Sequence, residues 1–329
     1  MSLEWRVQPK SLSRPLDWSN PLAWWWGSLT LISVANIGVW FVLYRQFHDA
    51  PTGSPASPGG LGLMLVLCAA YVFGCAFRSF LPRADVQRIC LFDSWLSSVA
   101  LGRSVATLAE LAFAAQWALF LQQLGRVTGA ETTLNAAAAI VPLILIAECF
   151  SWYAVLTRHF LGNAIENSIW AVAFFVIGIG LCRLLPEFHG LVRALLAVSI
   201  ACIAFYLAFL MTVDVPMYFS RWRLDIAEGS RLLRPLEGLY DASTRWIVTH
   251  DFAHWKDEIA WMSLYFSMAV WASLALCVGY ALEDHLPRYR VEAAASAPAN
   301  VAAAGQASGF SIIPGWTRPA YGGEASVRP

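Results

Sequence analysis

The stretch AAAAIVPLILIAECFSWYAVL, residues 136–156, contains one acidic or basic side chain, Glu148, in 21 positions. An α-helix rises about 1.5 Å per residue, so a run of this length covers the roughly 30 Å hydrocarbon core of a bilayer. Inside hydrocarbon the backbone finds no water, and a helix satisfies its N–H and C=O groups internally. The stretch therefore predicts a transmembrane helix.

Six further runs of the same apolar character lie along the chain, at residues 22–44, 61–80, 97–121, 165–185, 192–213 and 259–282. The composition agrees with seven spans, because 58% of the residues are hydrophobic and only 13% are charged. We therefore predict an all-α integral membrane protein. Its fold is a bundle of about seven transmembrane helices that forms one domain over residues 22–285.

Three segments differ from these runs in composition. Residues 1–21 form an amino-terminal arm, and residues 286–329 form a low-complexity tail that is predicted to be disordered. Residues 214–257 alternate aromatic and aliphatic side chains with charges. This pattern predicts short amphipathic helices that form an interfacial cap between helices 6 and 7. The cap serves either as a seal over the helix ends or as a lid for an amphiphilic substrate.

The distribution of basic residues predicts the orientation. Thirteen lysines and arginines lie in the loops or near the span ends on the side of the amino terminus, and six lie on the other side when the distant part of the tail is left out. Cytoplasmic loops carry an excess of lysine and arginine. The sequence therefore predicts a cytoplasmic amino terminus and an external carboxyl terminus in the plasma (inner) membrane.

Ionisable and amide side chains within the spans are the candidate functional residues. Arg103, Thr107 and Glu110 are spaced at i, i+4 and i+7, so they share one face of the third helix. Charged groups in a span are costly and usually face the bundle interior. We expect a polar cluster between helices three, four and five with a binding or proton-relay role, built from Arg103, Glu110, Glu148, Arg158, Glu166 and Asn167. The alternative is that these residues only fix helix packing.

A second candidate site precedes the seventh span. His250 and His254 are four residues apart, a spacing that places two imidazoles on one helix face within reach of a single metal ion. A third ligand would come from another loop on the same face, with His159 or Glu166 as candidates. The pattern predicts one zinc or iron ion at this site. The alternative is an interfacial helix whose histidines are solvated.

The sequence leaves three classes of function open. The first is binding or transport of a small or amphiphilic molecule through the polar cluster. The second is an intramembrane enzyme that modifies lipids, with the metal site as its centre. The third is a non-catalytic membrane subunit or scaffold. The expected partners are the lipid bilayer and a small-molecule or lipid ligand. Nucleic acid is not expected, because the formal net charge is zero.

Overall fold

A computed structural model of the protein describes residues 16–48, 58–230 and 232–282, together with Leu286 and Arg290. Within these residues the chain is almost entirely helical, and seven helical segments are long and apolar enough to cross a membrane. The predicted all-α bundle is therefore confirmed, and the protein is a multi-pass membrane protein.

Five of the spanning segments are unbroken α-helices. They are α1 (Pro21–His48), α2 (Pro58–Phe80), α3 (Val99–Thr128), α4 (Glu131–Thr157) and α5 (Phe160–Leu184). Only two residues separate α3 from α4, and Gly129 takes the left-handed φ of 73° that closes the end of α3. Two residues also separate α4 from α5. These short connections make the three helices antiparallel neighbours, which positions their polar residues against each other.

The other two spanning segments each contain one turn of π-helix. The sixth consists of α6 (Gly190–Phe209), a π turn (Leu210–Asp214) and α7 (Val215–Ala227). The seventh consists of α9 (Phe252–Leu264), a π turn (Tyr265–Ala269) and α10 (Val270–Ala281). The first π turn ends two residues before Pro216, which has no N–H to bond the preceding turn. Such π turns often occur at functional sites.

The helices pack in chain order, and the last one closes the bundle. Each of α1 to α4 packs against the next helix, α5 packs against α6 and α7, and α10 packs against α1, α2 and α3. Stacked rings in the core include Tyr71 and Phe113, whose centroids are 4.4 Å apart. The bundle therefore buries its own polar side chains against helices rather than against lipid.

The cap between helices 6 and 7 is shorter than the predicted segment 214–257. The sixth span stays helical to Ala227, and the seventh begins at Phe252 rather than at 259. A single short helix, α8 (Pro235–Thr244), lies between them. Residues 1–15 of the predicted arm, the loop 49–57 and the tail segment 291–329 lie outside the described residues.

A small sheet joins this cap to the connection between α2 and α3, although the sequence analysis predicted no strand. Its order is β1 (Arg83–Ala84), β2 (Ile89–Cys90) and β3 (Ile247–Val248). The pair β1–β2 is antiparallel, and the pair β2–β3 is parallel with Ile89 opposite Ile247. Residues from distant parts of the chain therefore meet on one membrane face.

Arg88 anchors the cap to the bundle. Its Nε donates to Asp241 Oδ2 of α8 at 2.8 Å, and one terminal nitrogen donates to the carbonyl oxygen of Val155 in α4 at 2.7 Å. The other terminal nitrogen donates to the carbonyl oxygen of Asp85 at 2.6 Å. Arg88 is only 3% exposed, so these bonds replace the water that its guanidinium loses on burial.

We predict that Gly238→Ala detaches α8 from the bundle. A Cβ at this position would overlap the carbonyl group of Leu156 in α4, and backbone does not move aside as a side chain can. Overpacking of this kind costs about 1–3 kcal/mol, so the thermal unfolding midpoint in detergent should fall.

The matched control is Gly62→Ala in α2, where a Cβ meets no atom within 4 Å. Alanine is the better helix former by about 0.5–1 kcal/mol, so this variant should unfold at the wild-type midpoint or slightly above it. Equal midpoints for the two variants would contradict the packing of α8 described above.

Candidate functional site

Three carboxyl groups surround the guanidinium of Arg103 inside the bundle. One of its terminal nitrogens donates to Glu110 Oε1 at 2.8 Å and to Glu148 Oε2 at 2.9 Å. The other terminal nitrogen lies 3.7 Å from Glu166 Oε1. Ligand oxygens of the three glutamates lie within 4.8 Å of one another. We call these four residues the Arg103 cluster.

The cluster lies deep in the membrane-spanning part of the fold. Glu110 comes 11 residues after the start of α3 at Val99, and Glu148 comes nine residues before the end of α4 at Thr157. At 1.5 Å per residue these depths are about 16 and 14 Å, close to the middle of a 30 Å core. All four residues are at most 6% exposed. The two-turn spacing from Arg103 to Glu110 and the tight α3–α4–α5 connections bring them together.

Further polar side chains hold the carboxyl groups in place. Thr107 Oγ1 donates to Glu148 Oε2 at 2.6 Å and accepts from Trp152 Nε1 at 3.0 Å. Asn163 Nδ2 donates to Glu166 Oε2 at 3.1 Å. A carboxyl oxygen of Glu110 and one of Glu148 also lie within 4.8 Å of each other. Two carboxyl groups this close avoid like-charge repulsion when one of them is protonated, so the arrangement can hold and release a proton.

The charges in the cluster do not balance. One guanidinium compensates one carboxylate, whereas three carboxyl groups contact Arg103. An uncompensated charge away from water is costly, so two of the carboxyl groups must bind protons or share a cation. The cluster is therefore a site at which protons and cations can exchange.

A cleft connects the cluster to the membrane face where α2 and α4 end and α3 and α5 begin. It encloses about 850 Å³ of empty space, its open mouth included. Five acidic residues line it: Asp85, Glu110, Glu166, Asp214 and Glu258. Six aromatic residues also line it: Trp170, Tyr206, Phe209, Tyr218, Trp261 and Tyr265. We call this cavity the acidic cleft.

The two π turns border the acidic cleft from opposite helices. Asp214 closes the first π turn, and Tyr265 opens the second. Asn167 Nδ2 donates to Asp214 Oδ2 at 2.7 Å, and among the described residues no cationic side chain forms an ion pair with Asp214. Glu258, in contrast, pairs with Arg221 at 2.8 Å and accepts from Trp261 Nε1 at 2.7 Å. Asp214 thus adds a further uncompensated carboxyl group.

The predicted polar residues separate into two places. Arg103, Glu110, Glu148 and Glu166 meet in the cluster, and Asn167 lies in the cleft beside Asp214. Arg158 instead closes the end of α4 with a left-handed φ of 58°, and its Nε donates to the carbonyl oxygen of Val86 at 3.3 Å. Burial, followed by the nearby charge of Arg88, lowers the pKa of Arg158.

The predicted metal site at His250, His254 and His159 is not formed. His250 does not share a helix face with His254, because α9 begins only at Phe252 and Asp251 is its N-cap. His250 Nε2 contacts the carbonyl oxygen of Leu91 at 2.9 Å, and His254 Nδ1 lies 3.3 Å from Asp251. His159 Nε2 accepts from Trp222 Nε1 at 3.1 Å. In the described part of the chain, the only histidine, cysteine, aspartate or glutamate side chains that come together in a group of three are the three glutamates.

Several cleft residues escaped the sequence analysis. Tyr206, Tyr218 and Tyr265 lie in apolar or amphipathic runs, and nothing in their spacing separates them from core residues. Asp85 and Gln87 lie in the connection between α2 and α3, where no helical or strand periodicity distinguishes them. A signal did exist for the helix start at Asp251, since aspartate is a favoured N-cap residue.

No protein-family model, curated protein or solved structure matches this chain. The fold and the site define a seven-span membrane protein with an acidic intramembrane cleft.

We predict that Arg103→Ala is far more damaging than Glu148→Gln. Removal of the guanidinium leaves buried carboxyl groups without their shared cation, a change that costs about 3–5 kcal/mol. The glutamine keeps the shape of Glu148 and an oxygen that accepts from Arg103. The midpoint of thermal unfolding in detergent measures the difference.

Arg183→Ala is the control for this prediction, because Arg183 is an exposed arginine of α5. It should unfold at the wild-type temperature. An Arg103→Ala protein as stable as the control would mean that the cluster does not depend on its arginine.

We also predict that acid weakens the contact between His159 and Trp222. Burial lowers the pKa of His159 below its usual 6.5, and a nearby Asp225 opposes this only in part. The unfolded chain therefore binds more protons than the folded protein as the pH falls through about 6.5, so stability should decrease below that pH.

His159→Gln tests this explanation, since glutamine offers Trp222 an acceptor oxygen and does not titrate. Melting temperatures recorded between about pH 7.5 and pH 5.5, on either side of the usual histidine pKa, should fall less for the variant than for the wild type. Parallel curves would show that His159 does not contribute.

Proposed function

We propose that the protein binds a small organic cation in the acidic cleft and exchanges it for protons of the Arg103 cluster. The observation that carries this proposal is the excess of carboxyl groups. Arg103 faces three of them, and Asp214 has no ion pair within the described residues. A bound cation supplies the positive charge that the cleft lacks.

The aromatic lining supports an organic cation rather than a bare metal ion. Cations bind over the faces of tryptophan and tyrosine rings, with a gain of about 0.5–2 kcal/mol per ring. Trp261, Tyr218 and Tyr265 line the same space as Asp214.

Proton exchange follows from the proximity of Glu110 and Glu148. The empty site balances its charge with protons, and a cation that enters the cleft displaces one of them. Release of the cation then returns a proton to the pair. A transporter would use this exchange to couple movement of the cation in one direction to movement of protons in the other. Glu110 and Glu148 are then the protonatable centres.

The arginine asymmetry of the loops supports a cytoplasmic amino terminus, with the protein in the plasma (inner) membrane. The acidic cleft opens on the face where α1 begins, because α2 and α4 end there. In this orientation the ligand enters from the cytoplasm.

The test is equilibrium binding of radiolabelled tetraphenylphosphonium and of phenethylamine to the purified full-length protein in detergent. We expect saturable binding that weakens as the pH is lowered, because protons compete for the same carboxyl groups. Glu110→Gln, Glu148→Gln and Asp214→Asn should each weaken binding at least tenfold, a loss of about 1.4 kcal/mol or more.

Two controls make the result specific. Glu187→Gln changes an exposed carboxylate in the connection between α5 and α6, which does not line the cleft. This variant should bind the cations like the wild type. Triphenylphosphine oxide has similar rings without the charge, and it should not compete. Binding that is indifferent to the three cleft substitutions, or absence of saturable binding for both cations, would refute the proposal.

A further inference from the structure

A second buried cluster lies at the end of the bundle opposite the acidic cleft, and it is rich in sulfur. Met64 and Cys68 are four residues apart on α2, so they share one helix face. Cys277 faces them from α10. Each of the three side chains is 0% exposed. We call them the sulfur cluster.

Two polar side chains connect the three sulfur atoms. Gln116 Nε2, from α3, lies 3.4 Å from Met64 Sδ and 3.6 Å from Cys277 Sγ. Ser273 Oγ, from α10, lies 3.4 Å from Cys68 Sγ. Ser273 Oγ also donates to Gln116 Oε1, so the side chains that contact Cys68 and Cys277 are bonded to each other. The thioether and both thiols therefore converge on one small volume.

We propose that the sulfur cluster is a binding site for a soft monovalent metal ion of the Cu(I) type. Thiolate and thioether sulfurs select Cu(I) among the biological metal ions, whereas sites for harder ions use carboxylate, carbonyl or water oxygens. The ligands are Cys68 Sγ, Cys277 Sγ and Met64 Sδ. This inference does not depend on the function proposed for the acidic cleft.

The charge balance of binding is simple. Each thiol loses its proton when its sulfur bonds to the metal, so one Cu(I) ion replaces two protons and no electron is transferred. The occupied site carries one net negative charge. The amide N–H groups of Gln116 and the hydroxyl of Ser273, which already contact the sulfurs, are placed to donate to the thiolates.

The position of the cluster gives the ion a short route. Met64 lies six residues after the start of α2 at Pro58, and Cys277 lies four residues before the end of α10 at Ala281. At 1.5 Å per residue the site is about 6–9 Å from these helix ends. The ion therefore enters from the membrane face opposite the acidic cleft.

The test is an anaerobic titration of the reduced, purified full-length protein with Cu(I), in competition with a chromogenic Cu(I) chelator. We expect one tightly held ion per chain and release of two protons per ion. Cys68→Ser and Cys277→Ser should each abolish this uptake, and Met64→Leu should weaken it at least tenfold. Cys75→Ser, which removes another buried thiol of α2, should bind like the wild type.

A second measurement protects the test from variants that fail to fold. In the wild-type protein, Ag(I) bound before unfolding should lower the alkylation of Cys68 and Cys277 relative to metal-free protein when both samples are then unfolded and read by mass spectrometry, while Cys149, which is exposed in the fold, is alkylated equally in both. Three results would overturn the proposal. They are uptake equal to that of the Cys68→Ser protein, formation of a Cys68–Cys277 disulfide with no retained copper, and unshielded alkylation in the presence of Ag(I).

Discussion

The guanidinium of Arg103 is shared by carboxyl groups from three helices at the middle depth of the bundle. Charges at this depth have no water to solvate them, so each must find a partner within the protein. That requirement fixes how α3, α4 and α5 face one another. It also leaves an excess of carboxyl groups beside a cavity. The interaction that orders the helices thus creates the chemistry of the acidic cleft.

Arginines of the connecting segments have a comparable structural role. Arg83 is buried, and one of its nitrogens donates to the carbonyl oxygens of Leu96 and Ser98 where α3 begins. Burial lowers the pKa of Arg83 to about 10, so it still carries its charge at neutral pH. Arg88 links the cap to α4 in the same way. Basic residues that indicate topology in a sequence therefore also fix the connecting segments against the helices.

The membrane helices and part of the site could be predicted from local patterns. Apolar runs indicated all seven spans, and the spacing of Arg103 and Glu110 indicated a shared helix face. The spacing of His250 and His254 misled, because a four-residue interval has meaning only where both residues are helical. Asp251 starts the helix between them. The sequence also did not indicate the partner of Arg158 or the full length of the sixth helical segment. Both depend on contacts with distant parts of the chain.

The sequence by itself determined that the protein lies in a lipid bilayer, that it has seven spans, and which charged side chains those spans must bury. Those properties follow from composition and helical periodicity, which act over a few turns of chain. Only the tertiary structure decided that one arginine serves three glutamates, that Asp214 and Tyr265 border one cleft, and that three sulfur atoms meet at the other end. Each of these depends on the packing of helices far apart in the chain, because a side chain's partner across a helix interface is set by geometry that no local pattern encodes.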